Sequence, residues 1–233
     1  MAAKTFQCPS CGSPLNTTGG EKEIQCAYCR SMVIVPEELR EARQSPPAQP
    51  FTEVLLKDDF SDPSSGWEYD RHWHYTEEYK NGHYHILIKS TYNQARVMSL
   101  GYYTNFSAEV DVQKVSGGNE GTIGVVCRQI GKGYYSFEFD HLGHSGIFES
   151  DSNGTCRQIA RAHFDPNTLN PNGINHIKGI CDHQNLTLIL NNQVLAQTQN
   201  STHTEGAAGF TVNPGRPGNA MDVLFSNFIV KGS

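Results

Sequence analysis

Two pairs of cysteines near the start of the chain constrain its fold more than any other feature. Cys8-Pro9-Ser10-Cys11 and Cys26-Ala27-Tyr28-Cys29 are C-x-x-C pairs separated by fourteen residues, a spacing typical of a zinc ribbon. Each two-residue spacer lets both sulfurs of a pair turn toward one point, so two pairs complete a tetrahedral thiolate site with no open position for chemistry. The sequence therefore predicts a structural zinc ion bound by Cys8, Cys11, Cys26 and Cys29. Two disulfides are the alternative.

The remaining cysteines and the first residues favour a reducing compartment. Cys127, Cys156 and Cys181 are scattered and odd in number, which suits free thiols better than a disulfide framework. Residues 1–6 contain no apolar run long enough for a signal peptide. No stretch approaches the roughly eighteen apolar residues of a membrane-spanning helix. We therefore expect a cytoplasmic protein without membrane insertion.

The charge distribution argues against a nucleic acid partner. Residues 1–52 contain five Lys or Arg and five Glu, and the rest of the chain contains 13 basic and 19 acidic residues, so the net charge of −6 lies downstream. A ribbon that binds nucleic acid needs a basic surface to release counterions from phosphates. The neutral ribbon predicts no nucleic acid binding.

Residue patterns divide the chain into three segments. Residues 1–36 are the predicted ribbon, which ends in a short apolar strand before Pro36. Residues 37–52 contain a predicted two-turn helix, 37–43, and a linker with three prolines and no apolar periodicity, 44–50. Residues 53–233 are the predicted main domain. The ribbon resembles the short ribbons that bacteria attach to the front of unrelated domains, which commonly act in docking or assembly.

The main domain has the period-two alternation of β-strands. Residues 105–114 and 133–140 alternate apolar and polar side chains, and shorter alternating runs are separated by turn signals such as Asn81-Gly82 and Asn191-Asn192. We count about twelve strands and no convincing helix. So many antiparallel strands without repeats must stack as two sheets. The predicted class is all-β, a small zinc ribbon followed by a two-sheet antiparallel jelly-roll sandwich.

Several motifs of the main domain carry a resemblance. Asp58-Asp59-Phe60-Ser61-Asp62-Pro63-Ser64-Ser65-Gly66-Trp67, the 186–193 hairpin and the closing 222–228 strand resemble the concanavalin A-like jelly rolls of the laminin-G and bacterial keto-disaccharide-hydrolase type. The resemblance covers residues 53–233 and implies fold far more than function, because this fold hosts lectins, glycosidases and adhesion modules.

One stretch tests an enzymatic interpretation. Glu109-Val110-Asp111-Val112-Gln113-Lys114 resembles the E-x-D-x-x-E strand of jelly-roll β-glucanases, in which the first and last glutamates imply nucleophile and general acid. Retaining hydrolysis needs two carboxyl groups roughly 5–5.5 Å apart. Gln113 and Lys114 cannot supply the second one, unless Glu138 or Asp140 replaces it from another strand. We therefore predict no catalytic residues, and a glycoside hydrolase remains the alternative.

A ligand groove is the more general hypothesis. Sugar sites combine an aromatic platform with polar groups. If the strands 105–114, 120–129 and 133–140 are neighbours, one exposed face presents these predicted ligand-binding residues: Trp73, Glu109, Asp111, Arg128, Tyr134 and Glu138. The alternation predicts that Arg128 and Glu138 form a solvated polar pair.

Two metal sites beyond the ribbon are further alternatives. Asp58, Asp59 and Asp62 offer oxygen ligands for calcium, although Asp beside Pro and Ser is also ordinary turn chemistry. The pairs His72/His74 and His83/His85 each place two imidazoles on one side of an extended chain.

The sequence thus favours a non-catalytic binding or assembly protein. Its zinc ribbon is tethered to a jelly roll that recognises a carbohydrate or a protein. A self-assembling structural subunit is a third possibility, because an open sandwich has exposed sheet edges that can pair between copies as a homo-oligomer.

Overall fold

The computed structural model describes residues 4–17, 22–36, 51–89, 94–170, 173–216 and 218–232. Contacts divide the chain into two compact units, one within residues 1–49 and one within residues 50–233. The predicted helix 37–43 and the linker 44–50 lie outside the described residues. The domain bounds at residues 36 and 52 stay a prediction.

The first unit consists of two short β-hairpins. β1 (Lys4–Gln7) pairs with β2 (Pro14–Thr17), and β3 (Glu23–Gln25) pairs with β4 (Met32–Ile34), both antiparallel. One C-x-x-C pair lies between the strands of each hairpin. The buried core of this unit comprises Cys8, Leu15, Cys26 and Val33. So small a core buries little apolar surface. The cysteine cluster is therefore the other feature that can hold the two hairpins together.

The described residues of the second unit form fifteen strands and one 3₁₀ turn, Pro166–Thr168. The strands are β5 (Glu53–Asp58), β6 (Asp70–Arg71), β7 (Tyr75–Lys80), β8 (His83–Ile88), β9 (Ala95–Met98), β10 (Phe106–Gly117), β11 (Thr122–Ile130), β12 (Gly133–Phe139), β13 (His144–Ser150), β14 (Cys156–His163), β15 (Asn175–Asp182), β16 (Asn185–Leu190), β17 (Gln193–Gln199), β18 (Ala207–Asn213) and β19 (Met221–Gly232). This number exceeds the predicted twelve, because strands as short as β6 and β9 offer too few alternating residues for a sequence pattern to indicate them.

The strands form two antiparallel sheets that face each other. The larger has nine strands in the order β17-β16-β15-β10-β19-β8-β7-β6, with β5 also paired to β19. The smaller has six strands in the order β14-β13-β12-β11-β18-β9. The predicted all-β class and two-sheet sandwich are confirmed. No α-helix occurs among the described residues, and none of them therefore provides a helix able to cross a membrane.

The core between the sheets confirms the predicted alternation. Phe106, Val110 and Val112 of β10 and Phe137 and Phe139 of β12 are at most 2% exposed and belong to one apolar cluster. The side chains between them in sequence must therefore project from the outer surfaces of the sheets. Those outer surfaces carry the polar side chains of the two strands.

Tight turns fix the register of the hairpins. Asn81-Gly82 joins β7 to β8 and Asn191-Asn192 joins β16 to β17, and all four residues have positive φ, between 48° and 76°. Two successive left-handed residues define the type I′ turn, which Asn and Gly tolerate best. The turn signals in the sequence thus marked real hairpins.

Candidate functional site

The four cysteines of the ribbon come together in space. One potential ligand atom from each lies within 4.8 Å of all the others, and Sγ···Sγ distances of 3.7 Å join Cys8 to Cys29 and Cys11 to Cys26. Four thiolates placed tetrahedrally at the Zn–S distance are about 3.8 Å apart. The donor set and spacing therefore fit a closed, structural thiolate site for a metal such as zinc.

Both cysteine turns have the same backbone geometry. Cys8 N donates to Ser13 O and Gly12 N to Cys8 O, and the second turn repeats these bonds with Cys26, Arg30 and Ser31. Gly12 and Arg30 occupy the equivalent left-handed position, with φ of 73° and 62°. The repeat turns all four sulfurs toward one another, and the Ser13 hydroxyl lies 3.0 Å from Cys11 Sγ and 3.3 Å from Cys26 Sγ.

The thiols differ in acidity. The backbone N–H of Cys29 and the hydroxyl of Ser13 lower the pKa of Cys26 to about 6, whereas burial raises the pKa of Cys8 to about 11. Since a metal binds the thiolate form, metal binding at neutral pH must release the proton of Cys8.

The predicted ligand groove does not form as one surface. β10, which carries Glu109 and Asp111, is in the nine-stranded sheet, whereas β12, which carries Tyr134 and Glu138, is in the six-stranded sheet. The expectation that strands 105–114 and 120–129 are neighbours was wrong, because the chain crosses from one sheet to the other between β10 and β11. Trp73 lies in the turn between β6 and β7 and is 75% exposed.

The predicted solvated pair of Arg128 and Glu138 does not form, because Arg128 is only 1% exposed. The register of β11 shifts around Arg128 on both sides, and its φ of 55° turns the side chain inward at this bulge. Its guanidinium donates to the backbone carbonyls of residues 104, 181, 183 and 203 and to Asn105 Oδ1 at 2.8–3.4 Å. Arg128 is therefore a structural residue that ties together segments of both sheets.

The outer surface of the nine-stranded sheet, the nine-strand face, is a closed network of charges. Glu109 accepts from Lys178 at 3.0 Å and from Lys231, and Asp111 accepts from His176 Nδ1 at 2.7 Å. Burial alone would raise the pKa of Glu109, but the hydrogen bonds from His176, Lys231 and Lys178 hold it well below its usual range. The carboxylates of Glu109 and Asp111 in turn raise the pKa of His176, and Glu109 has the larger effect.

A second charge cluster occupies the other half of the nine-strand face. His85, 3% exposed, lies between Glu78 Oε1 at 3.1 Å and Asp222 Oδ1 at 2.9 Å, and Arg71 pairs with Glu78. On this face, too, each of these charges has a protein partner.

The outer surface of the six-stranded sheet, the six-strand face, is built around Glu138. The carboxylate is 7% exposed and accepts from the hydroxyls of Thr122 and Ser136. Register places both cross-strand neighbours of Glu138 as glycines, Gly124 and Gly146. The whole row across the sheet is Arg96, Thr211, Gly124, Glu138, Gly146 and Arg161.

Long side chains lie along this floor of glycines. A Cβ on Gly124 would come within 2.7 Å of Glu138 Cγ, and one on Gly146 within 2.3 Å of Gln158 Nε2. Arg96 stacks on the ring of Tyr134 with 4.1 Å from its guanidinium carbon to the ring centroid. The neighbouring row carries the half-buried ring of Phe148 beside Gln158. The face therefore combines aromatic rings with carboxylate, amide and guanidinium groups that can form hydrogen bonds.

A pocket lies at each end of the six-strand face. The first, of about 370 Å³, is beside β14 and is lined by His144, Ser145, Phe148, Gln158, Arg161 and His163. The second, the end pocket, has about 290 Å³ and is lined by Glu68, Asp70, Tyr75, Glu77, Gln94, Arg96 and Gln129. The β6–β7 hairpin thus forms one wall of the end pocket, and β9 and β11 form the other.

The three aspartates that were predicted as calcium ligands cap turns instead. Asp58, Asp59 and Asp62 each accept backbone N–H bonds two residues on, and Asp58 Oδ2 also accepts from Trp67 Nε1 at 2.8 Å. These are turn-capping roles. Within the described ranges, the four cysteines are the only group of three or more ligand-type residues close enough to hold a metal.

Sequence analysis missed the residues of the end pocket, above all Arg96, Glu77 and Gln129. The alternation Ala95-Arg96-Val97-Met98 was a usable but short signal for an outward Arg96. No local pattern in the sequence indicated Glu77 or Gln129, because they come together only through the packing of the two sheets and the bulge in β11.

Comparison with known proteins shows the fold. No protein-family model matches the chain, and no curated protein matches it by sequence. Among solved structures, carbohydrate binding module CBM66 from Bacillus subtilis matches with a TM-score of 0.57 and 17% identity over 72% of this chain and 96% of that one. A Bacillus subtilis protein of unknown function with a galectin-like fold matches with a TM-score of 0.60 and 11% identity over 77% and 96%.

A larger enzyme contains a similar sandwich. The GH43 BlXynB protein from Bacillus licheniformis matches with a TM-score of 0.58 and 13% identity, covering 98% of this chain and 46% of that protein. The chain therefore spans less than half the length of this enzyme. At these identities the likeness establishes architecture alone: the main domain has the antiparallel jelly-roll fold of these structures.

Proposed function

We propose that the main domain is a non-catalytic carbohydrate-binding module whose six-strand face receives a glycan, and that the ribbon holds one structural zinc ion. The observation that carries the proposal is the row through Glu138, in which a carboxylate flanked by two glycines lies between two arginines. Sugar hydroxyls donate and accept at once, and so they need such alternating acceptors and donors.

The dimensions of the face suit a linear glycan. Six strands at the usual spacing extend about 24 Å across the sheet, which is enough for several sugar residues lying perpendicular to the strands. Glycines lower the floor beneath Glu138, and the rings of Tyr134 and Phe148 provide apolar surface for sugar C–H groups. The solved structures with this fold include a carbohydrate binding module, which supports the same class of ligand.

The carboxylates that the sequence singled out, on β10 and at the end of β12, favour binding over hydrolysis. A general acid must keep its proton near neutral pH, whereas lysines and His176 hold Glu109 ionised. Asp140, the next outward carboxylate after Glu138, accepts from the N–H groups of Leu142 and His144 and from the His144 ring. Neither strand thus presents an acid and a free nucleophile together.

A glycan array followed by calorimetry tests the proposal. We expect Glu138→Gln to weaken the best glycan of the array at least tenfold, because a hydrogen bond to a charged group contributes about 1.5–3 kcal/mol. Glu109→Gln is the matched control, the same change on the nine-strand face, and should leave affinity unchanged. The proposal fails if no glycan binds or if both variants weaken binding equally.

Elemental analysis tests the metal. The purified chain should contain one zinc ion, and Cys26→Ser should lose it while Cys156→Ser, which alters an exposed cysteine of the sandwich, keeps it. Zinc-free protein purified under reducing conditions would contradict the assignment.

A further inference from the structure

We propose that the end pocket binds a single uncharged sugar residue, the terminal unit of the glycan that crosses the six-strand face. This inference rests on the proposed function and adds the place where the glycan ends and the chemistry of the unit recognised there. Three polar groups that line the pocket carry it.

These three groups lack protein partners within the described part of the chain. Glu77 is 7% exposed, and no hydrogen bond or ion pair reaches its carboxyl group. Arg96 Nη1 and Gln129 Oε1 are buried atoms without a hydrogen-bond partner. Buried polar groups are nearly always paired, because an unmade hydrogen bond is costly. One carboxyl, one donor and one amide oxygen in the same pocket therefore indicate a ligand that offers both kinds of partner.

The mixture of charges excludes simpler ligands. The carboxylate oxygens of Glu68, Asp70 and Glu77 could coordinate a divalent cation, but the positively charged guanidinium of Arg96 lines the same pocket and would repel it. An anion would pair with Arg96 and be repelled by three carboxylates. A neutral sugar meets both requirements, since its hydroxyls donate to Glu77 and Gln129 and accept from Arg96.

The sheet itself holds two of the carboxyl groups close together. Asp70 and Glu77 are directly opposed in the β6–β7 ladder, where Cβ atoms are about 4.5–5.5 Å apart. Asp70 is fixed by the Tyr75 hydroxyl and by His72 at 3.1 Å. Burial, and then the charges of Glu68 and Asp70, raise the pKa of Glu77 to about 7. A sugar hydroxyl that donates a hydrogen bond to Glu77 would supply the partner that its carboxyl group lacks.

Size and position define the ligand as a chain end. A volume of about 290 Å³ lies at the lower limit for small-molecule pockets, roughly 300 Å³, which suits one sugar ring. Arg96 begins the row that contains Glu138, so the pocket continues the six-strand face. The β6–β7 hairpin lines it on the far side, an arrangement that suits the end of a glycan chain.

Calorimetry with monosaccharides tests the pocket. The probes are D-glucose, D-galactose, D-mannose, D-fructose, D-xylose and L-fucose, with D-glucuronate as the anionic counterpart and calcium chloride as the cation. We expect at least one neutral sugar to bind with one-to-one stoichiometry. Glu77→Leu and Gln129→Leu should each weaken it at least tenfold. The matched control Gln197→Leu, on β17 of the other sheet, should not. Thermal melts establish that each variant is folded.

The outcomes separate this inference from the proposed function. If Glu138→Gln weakens a long glycan, but no monosaccharide binds and Gln129→Leu has no effect, the carbohydrate-binding function stands and the end pocket is wrong. Tighter binding of glucuronate than of every neutral sugar, or calcium binding that Glu77→Leu abolishes, would also overturn it. Cleavage of the glycan that Glu77→Leu abolishes would instead contradict the non-catalytic function and make Asp70 and Glu77 the candidate catalytic pair.

Discussion

The two outer surfaces of the sandwich are both polar, yet their polar groups are organised in opposite ways. On the nine-strand face, Glu109 and Asp111 are surrounded by Lys178, Lys231 and His176, and these five groups are all paired with one another. On the six-strand face, Glu138 accepts hydrogen bonds only from hydroxyls among the described residues, and Arg96 Nη1 has no hydrogen-bond partner among them. Charged groups that are paired with each other stabilise the fold, whereas polar groups without a protein partner can still form hydrogen bonds to a ligand. Completeness of pairing, and not polarity, distinguishes the two faces.

The largest expected effect tests whether Arg128 belongs to the six-strand face or to the interior. Arg128→Ala should lower the free energy of unfolding of the sandwich by about 3–5 kcal/mol, because several buried carbonyls lose their donor together. Glu138→Ala, on the neighbouring strand, should cost less than about 1 kcal/mol. Urea unfolding followed by tryptophan fluorescence measures both. Equal, small losses would mean that Arg128 is a surface residue and that the two residues play similar roles.

An intermediate effect tests the closed network. Glu109→Gln should destabilise the sandwich by about 1–2 kcal/mol, because two lysines and a histidine lose the carboxylate they share, which is only 6% exposed. Glu138→Gln should change stability by no more than about 0.5 kcal/mol. If Glu138→Gln proves the more destabilising of the two, the six-strand face is the structural one.

The smallest effect is a pH dependence at the end pocket. Burial and the carboxylates of Glu68 and Asp70 raise the pKa of Glu77 from 4.5 to about 7, with Tyr75 and Arg96 as its other titratable or charged neighbours. Between these pH values the folded chain binds more protons than the unfolded chain, so Glu77 makes stability fall as pH rises. The Tm difference between Glu77→Gln and the wild type should therefore grow in favour of the variant from pH 5 to pH 8. A difference that is constant with pH would contradict the buried, unpaired state of Glu77.

Short-range patterns determined much of this molecule. The two C-x-x-C pairs predicted the cysteine cluster, because each turn depends on six neighbouring residues alone. Alternation assigned Phe137 and Phe139 to the core and Glu138 to the opposite side of the strand, because side chains on a strand alternate whatever the strand pairs with; it did not predict that Glu138 is only 7% exposed. Asn81-Gly82 marked its hairpin, because the backbone of those two residues sets the turn.

The tertiary structure alone decided which of these residues meet. Glu109 and Glu138 read alike in sequence, but long-range pairing put β10 and β12 in different sheets and gave only Glu109 a set of cationic partners. A bulge reversed Arg128 against the pattern of its strand, since an added residue changes the side on which a side chain lies. The end pocket joins residues 68–77, 94–96 and 129, whose separation in sequence leaves no local pattern. Local periodicity fixes which way a side chain points within its own strand, and pairing between distant strands fixes what it points at.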